Sequence, residues 1–459
     1  MSREDAPVRS QSGARRKALT PLPRAWALFA ALFVCATREA VASPEDIFSY
    51  GPRSPSMGGT GVSHSRDFEA TYTNPALLSR MRDRTFTLGY ASATFDLAAT
   101  KADGTRETLI PYGPLKSSVI GLGLPLPFIG PLRNRIAFGM AFSTPINVIV
   151  RGRIVYPEKA QFPLLPDRAQ TLAIRLGLGV DVGYGFRVGA GFAALAEIVG
   201  SVVVATDASG KVGSRVEDQL VATYAPTFGL SYERPLHDDR VLRVGAVFRG
   251  ALDARFAIDI DASKLSSLPI PILNISGSAQ YDPMQIALEA AVESPSSVFA
   301  LGATYKQWSS YGGLLEPTIV CPPDECKALR PPVIGFRDIV VPRVGVEYRF
   351  EPHSHVATAL RAGLAYEMSP LPGTIPASDA YSPTSNSLVR VRTAYFDSDR
   401  MVLTIGGGVA LKRPLLPLKL DAFAQLHHLL PRTIEFESAS SGRASGTVVA
   451  AGVMAGVSF

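Results

Sequence analysis

Arg151, Arg153 and Arg175 are the residues of this sequence best suited to recognising a charged ligand group. All three fall on the charged face of alternating segments, and a guanidinium grips a carboxylate through two parallel hydrogen bonds. A ligand bearing a carboxylate finds partners there. The plainer reading is that they pair with acidic residues of the same face, such as Asp181 and Glu197. Cys321 and Cys326 stand in Cys-Pro-Pro-Asp-Glu-Cys, and two cysteines this close favour a local disulfide in an oxidising compartment. A metal would need further ligands, and none stands near them in sequence. His353 and His355 share a parity but sit at a turn, and the adjacent His427 and His428 point to opposite faces, so no metal site is expected. Gly58, Gly59 and Gly61 suggest a phosphate loop, but no Lys-Ser/Thr follows them. There is no Gly-x-Ser-x-Gly elbow and no evident nucleophile–base pair, so no catalytic residue is assigned, no cofactor is expected and the chain is read as a non-enzyme.

The elements that position these side chains read as β-strands. From Thr171 to Asp181, Leu172, Ile174, Leu176, Leu178 and Val180 share one face. Ala173, Arg175, Gly177, Gly179 and Asp181 share the other, a strict period of two that specifies a strand with one apolar face. The same grammar recurs at Leu242–Arg249, Pro342–Phe350 and Leu360–Glu367. In a membrane barrel the apolar face meets lipid and the small and charged face lines the lumen. A soluble barrel would turn the same pattern inside out.

About fourteen such segments are expected, near 84–98, 115–126, 133–153, 169–182, 184–206, 215–233, 240–261, 274–291, 297–310, 337–350, 356–368, 389–411, 418–437 and 444–459. Connections after even-numbered segments are short, whereas most after odd-numbered ones are long, as at 99–114, 154–168, 262–273, 311–336 and 369–388. Outer-membrane barrels sort their loops in this way, short on the periplasmic side and long on the outer side. The last segment alternates to a terminal Phe459, which suits an address read by the barrel-assembly machinery.

At 459 residues the chain exceeds an ordinary single core, but a barrel wall grows by adding strands. The formal charge of +6 is concentrated at the start, where residues 1–42 hold seven Lys/Arg against three Asp/Glu. The remainder carries +2 with no basic block, which argues against a nucleic-acid partner. Residues 1–42 read as an export signal: Arg15, Arg16, Lys17 and Arg24, then an apolar run from Ala25 to Ala36, then Ala40-Val41-Ala42 as the cleavage site. Twelve apolar residues fall short of the roughly 20 a membrane helix needs. An exported monomer embedded in outer-membrane lipids is therefore expected.

Residues 43–83 do not alternate. They carry Met57-Gly58-Gly59-Thr60-Gly61-Val62 and then Asn74-Pro75-Ala76-Leu77. On these residues, with Ser297–Tyr311, Val341–Phe350 and Arg361–Pro372, the chain resembles the FadL-type outer-membrane transporters of long-chain fatty acids and aromatic hydrocarbons. The resemblance spans essentially all of 43–459. It implies an all-β, fourteen-stranded antiparallel barrel over 84–459, closed around an N-terminal hatch over 43–83. It implies that Gly58, Gly59, Gly61, Asn74, Pro75 and Ala76 belong to the hatch, whose movement opens a path to a lateral gap beside a kinked third strand. Pro145 and Asn147 sit in that strand, and proline tolerates only strand edges and bulges.

A hydrophobic ligand needs an apolar place to land. Phe162, Leu164 and Leu165 in one loop, and Leu268, Ile270 and Ile272 in another, supply one, or else pack on each other as a lid. The reading is of a passive transporter of fatty acids or other hydrophobic small molecules, with a structural or adaptor barrel of the same fold as the alternative.

Overall fold

The computed structural model describes residues 45–146, 150–151, 157–165, 170–206, 212–264, 273–313, 318–320, 327–329, 333–353, 355–382, 387–412, 417–437 and 440–459. Its long strands are β1 (Thr85–Lys101), β2 (Leu115–Pro125), β3 (Ile136–Pro145), β4 (Ala173–Gly183), β5 (Phe186–Thr206), β6 (Val212–Pro235), β7 (Val241–Arg249) and β8 (Leu252–Lys264). They continue as β9 (Leu273–Asp282), β10 (Met284–Glu293), β11 (Ser297–Gln307), β12 (Ile339–His353), β13 (Val356–Glu367), β14 (Arg400–Leu411), β15 (Leu418–Phe436) and β16 (Ser440–Ser458).

β1 to β7 pair in sequence order, β7 pairs with β10, and β10 to β16 pair in order. β1 also pairs with β16, from Thr85↔Ser458 to Lys101↔Gly442, so the sheet closes on itself. The wall is thus a fourteen-stranded antiparallel barrel. Closure satisfies every edge, which is what a sheet crossing a bilayer requires.

Burial shows which way the alternation faces. Leu88, Leu178, Leu301, Leu360, Ile405, Leu420 and Val453 lie exposed on the outer surface. Their neighbours in each strand, among them Arg175, Glu289, Glu347 and Gln425, are buried. A soluble barrel would hide the leucines and expose the charges, so the pattern is that of a wall facing lipid. No helix among the described residues is long and apolar enough to cross a membrane.

Some strand limits differ from the periodic reading. The third strand ends at Pro145, well short of residue 153: Pro145 is still opposite Ser117 of β2, while the ladder to β4 stops at Ser143↔Ala173. Proline has no amide proton to continue a ladder. Beyond Leu195, the edge of β5 is paired not with β4 but with β8, running parallel to it. The seventh and eighth segments are each interrupted, at Gly250–Ala251 and at Pro283, where the wall gives way to the β8–β9 hairpin. Residues 392–399 precede the start of β14 at Arg400 and belong to the long connection after β13. Asn147 lies outside the described residues.

The N-terminal segment from Glu45 to Met81 is built from short helical turns and lies against the inward face of the wall. Glycines on that face make the approach possible. A Cβ on Gly363 would lie 2.1 Å from the amide nitrogen of Gly58, and one on Gly189 would lie 2.2 Å from that of Ala76. Backbone cannot retreat as a flexible side chain can, so Gly189→Val is expected to displace this segment while leaving the outward face unchanged. Limited proteolysis of the inserted protein should then cut within residues 45–83 with the barrel core intact. Cleavage no faster than in the wild type would count against this packing.

Candidate functional site

Asn74 organises the end of the N-terminal segment. Its side chain caps the short helix Pro75–Arg80, with Oδ1 accepting from the amide of Ala76 at 3.1 Å. Its Nδ2 donates to Val62 O at 2.7 Å and to Leu230 O of β6 at 3.0 Å. One amide thus closes a helix end, ties two turns of the segment together and fastens them to the wall. Pro75 takes the first helical position, where the lack of an amide proton costs nothing. The Pro75–Ala76 backbone is what lies over Gly189.

The glycine turn does hold an anion, but the anion is part of the protein. Glu289 of β10 accepts from the amides of Gly61 at 2.8 Å and Ser63 at 2.9 Å, and from Ser63 Oγ at 2.6 Å. His64 Nδ1 lies 3.0 Å from the same carboxylate. Successive backbone amides in such a turn form a concave anion site. Gly58 and Gly59 adopt positive φ of 67° and 75°, the left-handed conformation that glycine reaches without strain.

A second set of contacts is ionic. Glu347 of β12 receives Arg53 through two bonds, of 3.0 and 2.8 Å. The same carboxylate takes Arg349 at 2.6 Å and Arg361 at 2.7 Å. Glu293 of β10 takes Arg66 and Arg349 at 2.7 Å each, Arg243 at 2.6 Å, and Arg80 at 3.6 Å. Arg243 also meets Glu233, which pairs with Arg187, which reaches Asp181. On the other side Arg361 reaches Asp421 at 2.6 Å, across a position where Gly408 leaves room for the bond. Alternating charges therefore run along the lumen from β4 to β15, and Arg53, Arg66 and Arg80 of the N-terminal segment insert into that chain. Burial disfavours the charge of Arg53, yet Glu347 and Glu69 hold its pKa above the usual arginine range. Burial pushes Arg80 down to about 9, with Arg243 adding to the shift. Burial also pushes the Glu69 carboxyl up, against Arg53 and the amides of Arg66 and Arg53.

Beyond these polar layers the interior holds an apolar cluster and a further buried ion set, in which Glu367 takes Lys306 and Arg400 at 2.7 Å each. A continuous buried cluster joins Ile47 and Phe48 to wall residues such as Leu97, Phe423 and Val448. Inward-folded connections complete it with Phe162, Leu164, Leu165, Trp308, Tyr311, Phe336, Leu371, Tyr395 and Phe396. Phe162, Leu164 and Leu165 are 1%, 2% and 0% exposed, so they are no open landing surface. Phe162 sits 6.0 Å from Phe396 and Tyr311 4.5 Å from Phe336, ring centre to ring centre. A connection that turns inward to cover a lumen needs the same apolar residues as an exposed one, which is why sequence left the two open. Leu268, Ile270 and Ile272 lie outside the described residues, as do Cys321 and Cys326.

Arg175 is not free to receive a ligand carboxylate. Its Nη1 lies 2.8 Å from Glu45 Oε1 and its Nη2 3.9 Å from Asp282. Its guanidinium stands 5.2 Å from the ring centres of both Tyr50 and Tyr72. Arg153 lies outside the described residues, and Arg151 falls in a two-residue strand paired with Gln170. A narrow cavity separates the start of the N-terminal segment from the wall, lined by Glu45, Phe48 and Tyr50 on one side and by Ala91, Val119, Phe423 and Met454 on the other. Arg53, Glu289, Glu293 and Glu347 escaped the sequence reading. The available signal was inward-parity acids in the strands set against arginines in the one segment that does not alternate.

A family model described as outer membrane protein transport protein (OMPP1/FadL/TodX) matches residues 46–422. The alkane uptake protein A of Marinobacter nauticus is 21% identical over 416 residues, covering 83% of this chain and 86% of that protein. A FadL homologue of Pseudomonas aeruginosa superposes with a TM-score of 0.54 at 15% identity, over 92% of this chain and 99% of its own. The toluene transporter TodX of P. putida gives 0.54 at 16% identity, over 90% and 99%.

The ionic contacts predict an order of damage. Removing Arg53 leaves Glu347 with two other arginines, whereas Glu347→Leu strands Arg53 and takes one of two carboxylate partners from both Arg349 and Arg361. Breaking a buried pair costs roughly 3–5 kcal/mol when the survivor is left uncompensated. Thermal unfolding in detergent should therefore show a larger fall in Tm for Glu347→Leu than for Arg53→Ala. Equal falls would mean that the N-terminal segment is not anchored through this carboxylate.

Proposed function

The chain belongs to the outer membrane protein transport protein family (OMPP1/FadL/TodX), and we propose that it carries hydrophobic small molecules passively across the bacterial outer membrane and releases them sideways through its wall. One observation carries the reading: a buried apolar cluster toward the long-loop end of the barrel adjoins a charged layer spanned by the N-terminal segment. A hydrophobic ligand is stable in the first and excluded by the second, because a greasy solute gains nothing from entering a lattice of ion pairs. The way onward is then lateral, and the break in the ladder between β3 and β4 at Pro145 supplies it. In this reading residues 43–83 act as a movable hatch, with Asn74, Pro75 and Ala76 as its foot and Gly58, Gly59 and Gly61 as its turns, Gly61 held by Glu289 and Gly58 by Thr404. Residues 1–42 direct export and are removed after Ala42, and the strand ending at Phe459 addresses the assembly machinery of a monomeric barrel.

Relatives named for alkane uptake and toluene transport make uncharged hydrocarbons the first cargo to test. Uptake of a labelled alkane, of toluene and of a long-chain fatty acid should be compared in cells with and without the barrel. Uptake that depends on the barrel supports transport; none for any of the three favours an adaptor. Phe162→Asp places an unpaired charge within the buried cover and should lower uptake at least several-fold at equal insertion. Unchanged uptake would remove the covering loop from the path.

A further inference from the structure

We propose that the turns joining β2 to β3 and β4 to β5 insert into the periplasmic leaflet of the membrane, with their apolar tips at the acyl boundary and Arg133 and Arg135 at the phosphates. The inference rests on the outer-membrane reading above and adds a partner surface to it. Turn tips that face water ordinarily carry glycine, asparagine, aspartate or serine. These two carry large apolar side chains. The first runs Phe128-Ile129-Gly130-Pro131-Leu132, and its Ile129 is 91% exposed. Tyr184 stands at the tip of the second, between Gly183 and Gly185, and is 99% exposed. Its φ is 55°, a left-handed conformation that a bulky residue reaches only with strain. A Cβ added to Gly130 or Gly183 would meet no atom within 4 Å, so both tips project clear of the protein.

Isolated surface hydrophobics need no partner, but these are neither isolated nor evenly spread. The lipid-facing wall runs into the tips without a break: Val182, Tyr184, Phe186 and Val188 are exposed in succession along the end of β4, its turn and the start of β5. The bases of the two turns are joined, the amide of Asp181 donating to Arg135 O at 2.8 Å. Elsewhere on the same rim the tips are polar. Ser294, Pro295 and Ser296 join β10 to β11, and the turn from β6 to β7 carries Asp238 and Asp239. Arg133 and Arg135 are exposed beside the first apolar tip, and neither makes an ion pair among the described residues. Apolar side chains next to free cations suit a leaflet interface, where the stems lie in the apolar layer and the charged ends reach the phosphates. The unbroken run from wall to tip selects lipid over a periplasmic protein, because a protein docked there would displace lipid already seated on the adjoining wall. The same turns close the paired end of the β3–β4 ladder, whose pairing stops at the far end at Ser143↔Ala173. Seating them in lipid holds that paired end in place.

The test introduces an indole by Ile129→Trp, by Tyr184→Trp and, on the polar part of the rim, by Ser296→Trp. Each barrel is placed in nanodiscs of phosphatidylethanolamine and phosphatidylglycerol, where both faces meet solvent, and wild-type emission is subtracted. In Ile129→Trp and Tyr184→Trp the added emission should lie to the blue and be quenched by lipids brominated near the top of the acyl chain. Aqueous iodide should quench it several-fold less than in Ser296→Trp. Adding Arg133→Glu and Arg135→Glu to Ile129→Trp should raise iodide quenching toward the Ser296→Trp level. Mobility of the unheated protein on electrophoresis checks that each barrel is closed, and the two tips give independent readings. Equal iodide quenching at all three positions in closed barrels would overturn the inference and leave transport, which is read from uptake, standing. Protection from iodide that appears only on adding a periplasmic extract would assign the tips to a protein and overturn it too.

Discussion

The lumen of this barrel is organised around carboxylates that each serve several guanidinium groups. Glu347 and Glu293 are shared between arginines of the wall and arginines of the N-terminal segment. Such a lattice is stable only when complete, because removing one member leaves the others charged in a poorly solvated space. That requirement fixes the position of the N-terminal segment, which contributes Arg53, Arg66 and Arg80. It also explains why the lumen is lined by glycines where the segment passes: side chains there would hold its backbone away from the carboxylates.

The division of the interior follows from the same constraint. Ion pairs predominate in one layer and aromatic and aliphatic side chains in the other, and the N-terminal segment reaches from Arg53 in the first to Ile47 and Phe48 in the second. A displacement of this segment is therefore felt in both layers. Glu45 extends the coupling, since it pairs with Arg175 of β4, the strand whose ladder to β3 breaks off near Pro145.

Much of the architecture was legible in the residues. Alternation located the strands, and loop lengths sorted by parity told inside from outside, because a wall crossing lipid must present one apolar face and turn at both surfaces. Asn74-Pro75-Ala76 marked a structured segment, and its cap, first-turn proline and small residue each have a local physical cause. Periodicity failed where a strand is stopped by something other than its own pattern. Pro145 still sits in the alternating run, and residues 389–399 continue a favourable composition without reaching the wall before Arg400.

The sequence by itself determined the alternation and the existence of a segment that could not be wall. These depend on neighbours two to four residues apart, a range over which backbone geometry dictates the outcome. Tertiary structure alone decided which charges meet. Arg53 and Glu347 are 294 residues apart, and Gly61 and Glu289 are 228 apart. It also decided that Phe162, Leu164 and Leu165 pack into the buried apolar cluster instead of facing solvent, and that Arg175 pairs with Glu45. Pairings of this kind are set by the register and closure of the whole barrel, and no local pattern encodes them.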